Sequence, residues 1–143
     1  MRVLLDANAL LLPVRTRFPL EAEVDRASPG ARLVVPSSVI DELDRLVARG
    51  VPEARGALAL AQKFPVVPVE GRGDLAILAT AVRLGAWVVT ADRALAERLR
   101  REGVSVLVPR DRHRLELHRG RSPAPSPPSS GVRREPARRR QRL

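Results

Sequence analysis

The sequence predicts an α/β fold: a three-layer α/β/α sandwich built on a central parallel sheet. Two observations carry that expectation. The strand candidates are short, unbroken apolar runs, among them Val3-Leu4-Leu5, Leu33-Val34-Val35 and Trp87-Val88-Val89, the pattern of strands buried on both faces rather than one. Between them lie stretches with apolar residues at helical spacing, so strand and helix alternate in the way that crossover helices join parallel strands. At 143 residues the chain can bury one core but not two.

Taken in order, residues 2–5 form the first strand, and Leu10-Leu11-Leu12 continues into a short helix expected to stop near Pro13. Pro19 opens a second helix at its first turn, with Leu20, Val24 and Ala27 on one face and Ser28-Pro29-Gly30 closing it. After the strand Leu33-Val34-Val35, Ser37 or Ser38 is expected to cap a helix. Ser38 and Asp41 make a weak capping box there, and Val39, Leu43, Leu46 and Val47 mark the apolar stripe. An Ala-rich helix follows at about 53–63, its small residues suited to close packing. Val66-Val67-Pro68-Val69 is the third strand, and Pro68 places it at a sheet edge because proline cannot donate to the ladder. An apolar helix from Leu75 to Leu84, the strand Trp87-Val88-Val89, an amphipathic helix from Asp92 to Arg101 and a last strand from Val104 to Val108 complete the domain, set at residues 1–112.

Residues 113–143 read as a basic tail. Between Ser122 and Ser130 there are four prolines and four serines, followed by an arginine run holding Arg133, Arg134, Arg138, Arg139 and Arg140. No core can be built from such a composition, so the segment is expected to be disordered. It also carries most of the charge. Residues 1–118 hold 18 Lys+Arg against 15 Asp+Glu, a net of +3, whereas residues 119–143 hold 8 Arg against one Glu, a net of +7. The five tail arginines are therefore candidate nucleic-acid contacts. Elsewhere Lys63 is the only lysine against 25 arginines, a bias spread over the whole surface that cannot locate a binding site. Without cysteine there are no disulfides, zinc-thiolate sites or thiol nucleophiles. No apolar run approaches the roughly 20 residues of a membrane span, and with the first strand starting at Arg2 no signal peptide is expected. The expected location is cytoplasmic, with no membrane partner.

The chemistry lies in four acids. Asp6 follows the first strand directly, and a buried strand has no use for a carboxylate at its exit unless something there binds it. In a parallel sheet the functional crevice lies outside the carboxyl ends of the strands. Asp92, reached from Trp87-Val88-Val89 through Thr90-Ala91, comes to that edge, as does Asp74, which opens the helix after Val66–Val69. Glu42 lies nearer the apolar stripe of its helix than Asp41 or Asp44 do, and is expected to point along the boundary of the core toward the same crevice. Taken singly, Asp74 and Asp92 are good helix N-terminal residues and Glu42 an ordinary solvated one. Four carboxylates at one edge repel one another unless a cation lies between them, and hard oxygen donors select magnesium or manganese.

These residues carry a family resemblance. Leu4-Leu5-Asp6-Ala7-Asn8, Pro36 to Leu43, Gly73 to Ala81 and Val88 to Leu95 resemble, in order, the four acidic motifs of the PIN-domain ribonucleases. The resemblance covers about residues 1–110. It implies Mg²⁺- or Mn²⁺-dependent hydrolysis of RNA phosphodiesters, with Asp6, Glu42, Asp74 and Asp92 as catalytic metal-binding acids and Asn8 and Thr90 in support. Within the family the chain looks more like the archaeal rRNA-processing type than the toxin type. It departs from many relatives in having Leu75 where a second acid follows the third, which leaves fewer ligands for a second ion. The implied partners are RNA, a second copy of the chain through Leu10–Leu12 or the Ala57–Ala61 surface, and a protein inhibitor or ribosome-assembly partner.

Three enzymatic alternatives each lack a residue they need. A receiver-type phosphoacceptor needs a lysine after its last strand, where Val108-Pro109-Arg110 has none. A haloacid-dehalogenase-type phosphatase needs a second Asp where Asn8 stands, and a dinucleotide-binding fold needs glycines directly after the first strand. A non-cleaving PIN-like module that binds RNA or protein as an assembly factor remains the alternative from another class. His113 and His118 follow the last strand and are expected at the surface, and with Phe18, Phe64 and Trp87 as the only aromatics there is no platform for stacking unpaired bases.

Overall fold

The computed structural model describes residues 1–121; the arginine run, with Arg133, Arg134, Arg138, Arg139 and Arg140, lies outside the described residues. Six strands, β1 (Arg2–Leu5), β2 (Arg32–Pro36), β3 (Val66–Val67), β4 (Trp87–Val89), β5 (Val106–Pro109) and β6 (Leu115–His118), form one sheet in the order β3-β2-β1-β4-β5-β6. The first five run parallel, with Val3 level with Leu33 on one side and Trp87 on the other. Six helices cover the sheet: α1 (Ala7–Thr16), α2 (Leu20–Ala27), α3 (Ser37–Ala48), α4 (Ala54–Ala61), α5 (Gly73–Leu84) and α6 (Arg93–Arg101). This is the three-layer α/β/α sandwich that the apolar runs predict.

The topology sets where a site can form. The chain winds outward from β1 through β2 to β3, then returns to β4 on the other side of β1 and winds outward again. The strand order thus reverses at β1, and the crevice of such a sheet opens at the carboxyl end of that switch point. Val3, Leu4 and Leu5 are wholly buried, each stabilising the fold by roughly 1.5–3 kcal/mol, so the residue after them is held at that edge by the core.

Several local expectations are corrected. α1 does not stop at Pro13 but runs through it to Thr16, ending at Arg17 in the left-handed region (φ 56°). A proline forfeits the bond its own N–H would make and its ring crowds the carbonyl of Ala9, but its own carbonyl still accepts from Arg17 N at 3.0 Å, and the buried Leu10 and Leu11 hold the helix to the core. Neither serine caps α3 through its side chain, and the Ser38–Asp41 capping box does not form. Ser37 Oγ instead accepts from Val69 N at 2.8 Å and reaches Val69 O at 3.3 Å, fastening the segment that leads from β3 toward α5. β3 is two residues long and lies at the edge, the position that Pro68 predicts.

The C-terminal boundary also moves. Beyond residue 112 the sheet continues into β6, which pairs antiparallel with β5, Pro109 level with Leu115. Leu115 is buried, its N–H donates to Glu23 Oε1 at 2.9 Å, and its carbonyl accepts from Arg26 Nη2 at 2.7 Å. Glu23 and Arg26 on α2 are themselves paired at 2.9 Å, so one ion pair docks the strand. Gly120 follows, packed so closely on Gly103 that an added Cβ would lie 2.3 Å from its backbone. Of the expected dimer surfaces, Leu10, Leu11, Ala57 and Ala61 are buried within the protomer, while Leu12, Leu58 and Leu60 are half-buried and Ala59 is exposed; α4 lies so near α1 that a Cβ on Gly56 would meet Val14 at 3.1 Å. Among the described residues no helix is long and apolar enough to cross a membrane.

Candidate active site

Asp6 leaves β1 at the switch point and becomes the N-cap of α1. Its N–H still bonds Val89 O at 3.2 Å, which extends the β1–β4 ladder by one residue and turns the side chain toward β4. The carboxylate is 8% exposed and both its oxygens are occupied. Oδ1 accepts from Ala7 N at 2.8 Å, and Oδ2 accepts from Asn8 Nδ2 at 3.1 Å and from Thr90 Oγ1 at 2.9 Å. Asn8 in turn accepts from Ala91 N at 2.7 Å, and Thr90 Oγ1 accepts from Asp92 N at 3.1 Å. The β1 and β4 exits are thereby knitted together, with the fully buried Thr90 at the centre.

Every donor on Asp6 is neutral, and its pKa is raised. Burial is the largest cause and the negative charges of Glu42 and Asp74 add to it, opposed by the hydrogen bonds from Thr90 and Ala7. Glu42 on α3 and Asp74 in the first turn of α5 are both exposed, and their charges bear on Asp6. Glu42 therefore stands in solvent rather than along the core boundary. Asp74 follows Gly73, whose φ of 76° lets the chain turn into α5.

Asp92 takes the role that its isolated reading foresees: it is the N-cap of α6, with Oδ1 accepting from Ala94 N at 2.9 Å and Leu95 N at 3.1 Å. It joins Asp6 only through Thr90. As the side chains stand, no three acids or histidines among the described residues are gathered closely enough to share one ion. The donor chemistry nevertheless suits a hard divalent cation: a buried carboxylate lacking a cationic partner, its pKa raised further by the charges of two exposed carboxylates. His113 is exposed and His118, half-buried, lies 3.2 Å from Glu116; neither contacts this cluster.

One contributor was not predicted from sequence. The backbone of Ala91 anchors Asn8, and main-chain donors carry no residue signature. The Ser37–Val69 tie does have a signal, the serine after Pro36, which equally suits a helix cap.

A sheet that reverses at β1 with acids at its carboxyl edge is an arrangement that PIN-like α/β/α domains share with other open α/β folds; the family match assigns the class. A family model described as a PIN like domain matches residues 3–112, and the chain belongs to that family, whose members are generally nucleases. Among solved structures, the PIN domain endonuclease Utp24 is similar with a TM-score of 0.70 and 21% identity, over 82% of this chain and 91% of that one. A domain of a functionally unknown protein from Methanocaldococcus jannaschii follows with a TM-score of 0.58 and 14% identity, over 77% and 91%. VapBC2 from Rickettsia felis, solved bound to a DNA fragment from its promoter, has a TM-score of 0.56 and 15% identity over 68% and 92%. No curated protein matches the chain.

Proposed function

We propose that the protein is a metal-dependent endoribonuclease that hydrolyses RNA phosphodiester bonds, with Asp6, Glu42, Asp74 and Asp92 as the acids that hold Mg²⁺ or Mn²⁺. One observation carries this reading. Asp6 is buried at the switch point, bonded only to neutral donors, and pushed up in pKa by burial and by Glu42 and Asp74. Such a carboxylate gains from a cation supplied from outside the chain.

In this reading Asp6 is the central ligand, oriented by the Thr90 hydroxyl and the Asn8 amide. Glu42 and Asp74 approach from the solvent side, where their side chains are free to turn inward. Asp92 offers the oxygen that does not cap α6. The N-termini of α5 and α6 favour the negative charge of Asp74 and Asp92, which lowers the cost of keeping four acids at one edge. When bound, the ion lowers the pKa of a water, orients it for in-line attack and neutralises charge on the departing oxygen.

A role in rRNA processing is the finer reading favoured by the motif resemblance; a toxin-type ribonuclease with a protein inhibitor is the alternative. Because Asp92 serves as a cap and no three acids among the described residues are gathered as they stand, a non-cleaving RNA- or protein-binding module is the second reading. Incubating mixed RNA with Mn²⁺ separates the two. The wild type should cut and Asp6→Asn should lose at least about a hundredfold in rate; cleavage surviving the substitution, or absent with every divalent metal, would sink the nuclease reading.

A further inference from the structure

Beside the acids, a groove of about 370 Å³ descends between α6 and the β5–β6 pair. Its volume lies within the roughly 300–1,000 Å³ that accommodates a small ligand. Ala91 forms part of its wall, and the Ala91 N–H is the donor held by Asn8. The groove thus begins one residue from Thr90, whose hydroxyl bonds Asp6. β5 runs parallel to β4, so Pro109 and Arg110 emerge at the same edge as Thr90 and Asp92.

The lining is basic on balance. Arg93, Arg100, Arg110 and His118 face Glu97 and Glu116. The two acids already have partners: Glu97 is bonded by Arg121 and lies 3.7 Å from Arg100, and Glu116 is 3.2 Å from His118. Arg93 has no ion pair among the described residues, and Arg110 only a long one, 3.8 Å to its exposed neighbour Asp111. Both are exposed. All three aromatics of the chain pack in or against the core, so a ligand entering here is held by charge rather than by stacking.

We infer that this groove is a nucleotide subsite: it seats the part of an RNA strand flanking the phosphodiester at the acids, with Arg93 and Arg110 holding backbone phosphates. Guanidinium groups suit phosphate oxygens through paired hydrogen bonds. This deepens the nuclease reading and rests on it for the direction of the strand, but the binding itself can be read without cleavage.

The test measures fluorescence-anisotropy binding of an oligouridylate of about ten nucleotides to full-length Asp6→Asn protein, alone and with Arg93→Ala/Arg110→Ala. A charge-matched control, Arg2→Ala/Arg32→Ala, removes two arginines from the opposite edge, where β1 and β2 begin. The groove pair should weaken binding about tenfold and lower the log–log salt slope by about 1.4, at about 0.7 per phosphate contact on a single strand. The control should change affinity less than twofold. Equal losses in both variants, no loss in the groove variant, or no RNA binding at all would overturn the subsite. Cleavage by the protein with Asp6 intact keeps the two ideas apart. If it cuts and the groove substitutions alter neither cutting nor binding, the subsite fails alone. If it never cuts while the binding difference stands, the nuclease reading fails and the groove remains an RNA site.

Discussion

Asp6 and Glu23 are both carboxylates buried to the same degree, 8% exposed, yet their pKa values are shifted in opposite directions. Glu23 accepts three bonds from the Arg26 guanidinium and one from Leu115 N, and the Arg26 hydrogen bonding is the main reason its pKa is lowered. Asp6 has a raised pKa, chiefly because of its burial and further because of the charges of Glu42 and Asp74; an amide, a hydroxyl and a main-chain N–H are its only donors, and they do not offset it. The comparison teaches what separates a structural acid from a candidate site acid. One brings its counter-charge in its own helix and uses it to dock β6. The other is oriented by neutral groups and left short of positive charge.

The comparison can be broken most directly by removing each acid. Glu23→Ala should cost about 2 kcal/mol in urea unfolding, because it strands the Leu115 N–H and breaks the charged bonds that hold β6. Asp6→Asn in metal-free buffer should cost less than half of that, because the amide forfeits an acceptor at one of the three donors but removes a buried charge that has no counter-ion. A destabilisation by Asp6→Asn matching that of Glu23→Ala would make both acids structural. A smaller effect comes from metal: at Mn²⁺ tenfold above its dissociation constant, the wild type and Glu23→Ala should each gain about 1.4 kcal/mol in thermal unfolding. Asp6→Asn should gain none, and an equal gain there would place the ion elsewhere.

The smallest effect, and the sharpest in sign, is with pH. Glu23 has a folded pKa below its ordinary 4.5, so its contribution is complete above that value and is lost as pH falls through the lower folded value. Asp6 has a folded pKa above its ordinary 3.8. The folded state therefore holds the proton more tightly, and stability declines as pH rises from about 3.8 through the folded value. Metal-free stability curves of the two variants against wild type should differ in opposite directions: Asp6→Asn removes the decline on the alkaline side, and Glu23→Ala removes the loss on the acid side. Parallel curves would erase the distinction drawn here.

Much of this was legible in the residues. The apolar runs at Val3–Leu5 and Trp87–Val89 are two-sided core strands because nothing polar interrupts them, and Asp6 stands out because it ends such a run. Pro68 marks the edge because it cannot donate to a ladder. What misled was chemistry with two outlets. Pro13 ends many helices but forfeits only one bond, and a serine after a proline can cap a helix or, as Ser37 does, fasten a neighbouring segment. β6 escaped because Leu115-Glu116-Leu117-His118 is too short to stand out from a polar stretch, and what holds it is Glu23, 92 residues away in sequence.

The sequence alone determined the alternation of strand and helix and the family motifs, and singled out the four candidate acids, since each rests on local patterning and on residue type. Only the tertiary structure decided which buried acid has its own cation and which does not. It placed Thr90 and Asn8 on Asp6, set Asp92 as a cap linked through Thr90, and opened a basic groove beside them. Those outcomes depend on which strands become neighbours at β1, and pairing across 84 residues, as between Thr90 and Asp6, leaves no periodicity in the chain.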